Sequence, residues 1–577
     1  MPNGGTGSGS GIVAFITVAG FLSGPGFQRM REYLRQRCHE VWVIDCSPEG
    51  HQPDVSTRLF QGVQQPVCIV LASRWTAGEK SEPAVVRWQA LPAGHRQGKF
   101  EALTALRLDS TAWVDCPTEG RAPFLPASSD AWAQHPALED FFLYNGSGVM
   151  PGRTWVIAPD AESLQRRWAR LVAAPAEDKE RLFHPHLRNG KPGDKHSRKV
   201  VATPLGSFPV QSKAVADEDG AGAAPVAYGY RSFDRQWIIP DPRLINQPNP
   251  RLWEVRSERQ LFVTAFSEES PTSGPALTVT GLVPDLHHYK GSFGGRAFPL
   301  WANAEATQPN LRPALLAHLS AAYGKPVSAE DLFAYLVAVA AQPAYIECFR
   351  KDLATPGLRI PLTADAATFA EAATLGRRVV WLHSFGERFA DATAGRPPGP
   401  PRLPSGRRPQ VLAGGAIPGD SAGMPDVMTY DAAVQCLHIG SGRIEPVAAA
   451  VWHYEVSGKQ VLVQWFSCRR KNRERPIIGD RRPPSPLGDI QPESWPAQYT
   501  TELLDLLNVL GLLVDLEPAA AELLERICAG PKLDAVAMRA EGLFTDAPVG
   551  PSEQKRRRTA RKALPVPDPR AIRLDGF

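Results

Sequence analysis

The stretch GIVAFITVAGFLSGPGFQRMREYLRQRCHEVWVIDC, Gly11 to Cys46, constrains the chain most. Ile12 to Val18 is an apolar, β-branched run of the kind found in strands covered on both faces. SGPG (Ser23 to Gly26) breaks it, Phe27, Met30 and Leu34 then recur at helical spacing, and VWVID (Val41 to Asp45) is a second strand. After a polar loop, PVCIVLASR (Pro66 to Arg74) is a third. Strands alternating with a helix read as the end of a doubly wound sheet, and a first strand without partners cannot stand alone. The pattern therefore asks for a half of the domain that this stretch does not provide.

The rest of the chain is long enough for two to four domains at 577 residues. A hydrophobic fraction of 43% with 14 Trp and 23 Phe supports packed cores and excludes a disordered protein. Eight scattered cysteines with no CxxC pair argue against a zinc ribbon and against a secreted disulfide framework, and read as reduced thiols. With no apolar run near the roughly 18 residues of a membrane span and no basic-then-apolar leader, the expectation is a cytoplasmic protein.

TWVIAPD predicts a short strand, with Asp160 capping a helix that carries Leu164, Trp168, Leu171 and Val172 on one face. Residues 191–225 are rich in Gly, Lys, Asp and Pro and read as a linker or exposed loop, so a new body is expected from YGYRSFDRQWIIPD onward. Ser328 is placed to cap a helix over Ala329 to Ala341, and Phe369 to Leu375 continues a helical pattern. VAAAVWHYEVSGKQVLVQWF predicts a β-hairpin turning at Ser457–Gly458. TELLDLLNVLGLLVDL predicts a buried helix, with a second one starting at Pro518 and ending at Gly530. From about Val549 the chain is rich in Pro and Arg and reads as a basic, disordered tail.

GIVAFITVAGFLSGPGFQRMREYLR, WVID and TRLFQGVQQPVCIVL resemble the C-terminal part of a DNA adenine methyltransferase fold. YGYRSFDRQWIIPDPRLINQPNPRLW, KPVSAEDLFAYLVAVAAQPAYIECFRKDLATPGLRIPLTAD, VVWLHSFGERF and SPLGDIQPESWPAQYTTELLDLLNVL extend the resemblance to type ISP restriction–modification enzymes. The resemblance implies an α/β fold: the C-terminal portion of a Rossmann-like methyltransferase sheet over 1–190, then a mixed α+β target recognition domain over 226–548 and the tail over 549–577. It also implies S-adenosylmethionine as methyl donor, adenine as acceptor and double-stranded DNA as partner. The sequence departs from the family in showing no Asn-Pro-Pro-Tyr-type motif; QPNPRLW, RPPGPP and RRPPSP read as Pro-rich loops. The leader NGGTGSGSG follows no strand, as a cofactor loop of this type would. The expectation is that a separate chain carries the cofactor-binding and catalytic half, or that it has been lost. A non-catalytic DNA-binding specificity subunit, or a decayed remnant, is the alternative.

By resemblance, Phe60 stacks on an extruded base, since an aromatic face replaces the stacking a flipped base loses; packing at a strand end is the competing role. CRRKNRERPIIGDRR (Cys468 to Arg482) has seven basic residues against two acidic. Arg469, Arg470, Lys471, Arg473 and Arg475 are candidates for phosphate contacts and groove entry, against the plainer role of a solvated loop. HHYKGSFGGR offers Lys290 and Arg296 as a second DNA-facing loop. His287 and His288 lack a third ligand at metal spacing.

Overall fold

The computed structural model describes residues 10–544, apart from 24–26, 48–58, 61–62, 64, 76–81, 93, 118–122, 127–131, 133, 189–190, 193–194, 267, 355 and 472–484. The leader, the basic tail, Arg473 and Arg475 lie outside the described residues.

The N-terminal stretch folds as expected into strand, helix and strand. Strands β1 (Gly11–Val18), β2 (Glu40–Asp45), β3 (Val67–Arg74), β4 (Val85–Ala90) and β5 (Val114–Asp115) form one sheet in the order β1-β3-β2-β4-β5. β3 runs antiparallel to both β1 and β2, so those two point the same way, and β2 pairs parallel with β4. The helix Gln28–Arg37 covers one face, burying Leu34 against Val41, Val43 and Val70. The helix Arg96–Ala105 partly covers the other through Ala102 and Leu103. β1 departs from the expectation of a strand covered on both faces. It pairs only with β3 among the described residues, and Ile12 and Val13, on opposite faces, are 74% and 61% exposed.

The second body begins earlier than residue 226. The strand Asp234–Ile238 pairs with Ile157–Ala158, and Arg296–Pro299 pairs with Gly146–Ser147. Leu138, Phe141 and Phe142 already sit in the large core. Nor do the described residues of 191–225 form a free linker or an exposed loop throughout: Leu205 and Val215 are buried in the second core cluster. That cluster also holds Leu164, Trp168 and Leu171 of the helix Ala161–Ala173, whose cap Asp160 accepts from the Ser163 amide at 2.7 Å as expected. The main core centres on the helix Ala329–Ala340, with its Ser328–Asp331 capping box, packed on the helix Ala366–His383. Gly376 allows the approach: a Cβ there would run into the Ala334 backbone.

Two sequence expectations are corrected here. The predicted hairpin keeps only its turn, with Ser457 at φ 49° and Gly458 at φ 77°, flanked by two-residue strands Glu455–Val456 and Lys459–Gln460. Beyond it, Val461, Leu462, Trp465 and Phe466 are buried together, a helical rather than alternating spacing, and Val461–Ser467 is a helix. Pro518 does not begin a new helix. A single helix, Ala497–Ala529, runs through it, because Leu510 and Leu513 before it and Ala520, Leu523 and Leu524 after it are buried along its length. Packing of both halves outweighs the roughly 3 kcal/mol that an interior proline costs.

Candidate nucleic-acid interface

The carboxyl ends of β1 and β2 face the second body across a hollow of about 480 Å³. Ala19, Gly20, Asp45 and Ser47 form one wall, and Phe266, Glu268, Glu269, Lys290, Phe293 and Arg350 are on the other. The crevice outside the carboxyl ends of strands is where open α/β sheets bind ligands.

The loop that brings Lys290 there is held rigidly. Buried Asp285 pairs with Arg231 at 2.7 Å, accepts from the Tyr228 hydroxyl at 2.8 Å and accepts from the His287 amide at 2.8 Å. His287 Nδ1 accepts from the Gly294 amide at 3.0 Å, closing the loop. Gly291, at φ 100°, lies against the Gln464 side chain, and the Lys290 carbonyl accepts from Gln464 Nε2 at 2.9 Å. Lys290 Nζ rests 5.8 Å from the Phe266 ring centroid and 5.4 Å from that of Phe293. Burial, with Lys459 nearby, lowers the Lys290 pKa, so its charge is held in a partly desolvated place. His288 is a core residue, sharing a 2.8 Å hydrogen bond with Thr264, and burial pushes its pKa down to about 3. No group of acidic, histidine or cysteine side chains among the described residues could hold a metal ion.

The predicted site residues do not form one patch. Phe60 stands in the connection between β2 and β3, 37% exposed, at the same end of the sheet as the hollow but not in its lining. Arg296 starts the strand Arg296–Pro299, which is paired on both sides, with Phe262–Ala265 and Gly146–Ser147, and it donates from Nε to Asn145 Oδ1 at 2.6 Å. Lys471 is exposed and Arg470 half-buried. Arg469 is a correction: it is fully buried, 2.8 Å from Asp234 and 3.3 Å from Glu502, with its guanidinium 4.0 Å over the Trp465 ring. Burial opposes its charge, but Asp234 and Glu502 outweigh that and raise its pKa. It ties the body together and cannot reach a phosphate. The hydrophobic neighbours Trp465 and Phe466 carried that signal in the sequence, since an arginine four residues after a buried tryptophan lies on the same helical side. Phe293 and Arg350 were missed, because nothing local marks which side of a loop or helix faces the sheet.

The model of the family described as the type ISP C-terminal specificity domain matches residues 140–506. The chain belongs to that family. The matched span begins where the second body does, at the strands that pair back onto residues 146–158. No curated protein sequence matches the chain. Among solved structures, the specificity-domain chain is similar to a nuclease-deletion mutant of the type ISP restriction–modification enzyme LlaGI in complex with a DNA substrate mimic. That likeness has a TM-score of 0.58 and 15% identity, over 89% of this chain and 39% of that one. It is also similar to the DrdV–DNA complex (TM-score 0.57, 16% identity, 89% and 50%). The DNA-bound, ATP-dependent type ISP enzyme LlaBIII is a further match (0.58, 14%, 90% and 33%). At these identities the likeness establishes the fold, and the chain spans between 33% and 50% of those structures' length. No helix among the described residues is long and apolar enough to cross a membrane.

Proposed function

We propose that this chain supplies DNA target recognition to a type ISP-like restriction–modification system that methylates adenine. On this reading the N-terminal sheet is the end of a Rossmann-like methyltransferase sheet. Methyl transfer from S-adenosylmethionine then depends on cofactor and catalytic motifs that this sequence does not contain, carried by a separate chain or by further sequence. The family match over residues 140–506 carries the reading. Further support comes from the hollow that sets Lys290 and Phe293 opposite the strand ends, and from the uncovered apolar faces of β1, which suit a sheet that continues. Lys290, Arg296, Arg470 and Lys471, with Arg473 and Arg475 outside the described residues, are assigned to the DNA, and Phe60 to the extruded adenine.

The test is fluorescence anisotropy of random-sequence duplex DNA against salt, alongside transfer from labelled S-adenosylmethionine, with this chain alone. Salt-sensitive binding without transfer is expected. Lys471→Ala then weakens binding across all sequences and lowers the salt slope by about one. Transfer by the chain alone would overturn the division of labour. Absence of DNA binding would leave the remnant reading in its place.

A further inference from the structure

We propose that a second hollow, between the strand Asp234–Ile238, the turn at Phe385 and the start of the helix Ala497–Ala529, binds an amino-bearing nucleobase: adenine, cytosine or guanine. It measures about 230 Å³, enough for a planar heterocycle, and its lining includes Arg235, Gln236, Trp237, Phe385, Trp465 and Glu502.

Its chemistry is aromatic walls with hydrogen-bond acceptors beside them. Gln236 is 1% exposed and its Nε2 donates to both oxygens of Asp234, at 3.0 and 3.1 Å. That fixes the amide's orientation and leaves Oε1 buried with no hydrogen-bond partner. Buried acceptors are rarely left so, and such a group asks for a donor. Glu502 accepts from Gln498 at 2.8 Å and lies 3.3 Å from Arg469, and a carboxylate has room for further donors. Asp505 on the same lining takes Arg402. The cations present are engaged: Arg235 pairs with Glu387 and stacks 5.4 Å from the Phe385 ring, and Arg469 is committed to Asp234. A further cation would meet the Arg235 guanidinium on the lining, whereas a neutral planar group carrying N–H donors meets acceptors and rings. Adenine, cytosine and guanine carry an exocyclic amine; uracil and thymine have none, and their one ring N–H on the pairing edge is flanked by two carbonyl oxygens that the acceptors would repel. Phe385 sits at φ 55°, a left-handed conformation that costs a non-glycine residue energy and that collects at ligand sites.

The base could arrive as a free nucleoside or extruded from DNA; the second source rests on the DNA-binding reading above. Adenosine, cytidine and uridine are titrated into the full chain while tryptophan fluorescence is followed, since Trp237 and Trp465 line the hollow. In a second arm, a duplex with 2-aminopurine is added, and anisotropy is read in parallel. Saturable quenching by adenosine or cytidine, at least tenfold weaker with uridine, is the expected result for free bases. A 2-aminopurine response without nucleoside quenching assigns the site to extruded bases. Either signal should fall at least tenfold in Phe385→Gly, which removes the ring and relieves the left-handed backbone, and in Gln236→Met, with melting curves confirming both folds. Equal uridine binding, an unaffected pair of variants, or silence in both arms overturns the proposal, whether or not the anisotropy reports DNA binding. Nucleoside quenching with no DNA binding would sink the proposed function and leave this site standing.

Discussion

Two apolar segments that look alike in sequence end in opposite surroundings. In the helix Ala329–Ala340, ten of twelve residues are buried. In β1, an equally apolar strand, none of eight is, and Ile12, Val13 and Ile16 are more than half exposed. An apolar run states a need for partners, and the specificity body meets that need from within its own chain. Among the described residues the N-terminal sheet does not. Uncovered apolar faces on an edge strand are a liability that folded proteins manage by pairing or covering them, so the two regions differ in how complete they are.

That contrast can be broken most forcefully inside the body. Arg469→Ala leaves Asp234 buried without its cation and should cost about 3–5 kcal/mol in urea denaturation. A value under 1 kcal/mol would mean the body is far more yielding than its burial implies. Acid is the next lever. His288 and His383 are held neutral by burial, each with a pKa near 3. Below about pH 6.5 the unfolded chain takes up protons that the folded chain refuses, so stability is full above that value and falls as pH drops toward 3. Between pH 6.5 and pH 5 the loss should be about 2 kcal/mol per imidazole, read from denaturation midpoints at pH 7 and pH 5. Ser328→Ala, which removes the cap of a core helix, should cost about 1 kcal/mol. The smallest effect belongs to the sheet: Ile12→Lys should change stability by less than about 0.5 kcal/mol, read from denaturation midpoints. A large loss there would show that β1 is covered after all.

Local signals were read well wherever they were sufficient. The caps at Asp160 and Ser328, and the strand–helix–strand at the start, needed only residues within a few positions of one another. Local composition misleads where distant residues decide. Residues 191–225 have a linker's composition but are pinned by Leu205 and Val215 in a core built mainly from other segments. Pro518 breaks helices locally, yet the leucines on both sides find one continuous core. Of the candidate interface, the glycine-rich loop and Lys290 were legible, because glycines and an aromatic-flanked lysine stand together in sequence. The opposing wall was not, since it is assembled from strand ends and a helix far apart in the chain.

The buried Arg469 has one more consequence. Its guanidinium is fixed by Asp234 and Glu502, so Arg470 and Lys471, the next residues along the chain, start from a stationary point. Exposed Lys471 can therefore be exchanged as a probe of binding without loosening the frame, because the anchor is a neighbouring side chain and not the probe itself.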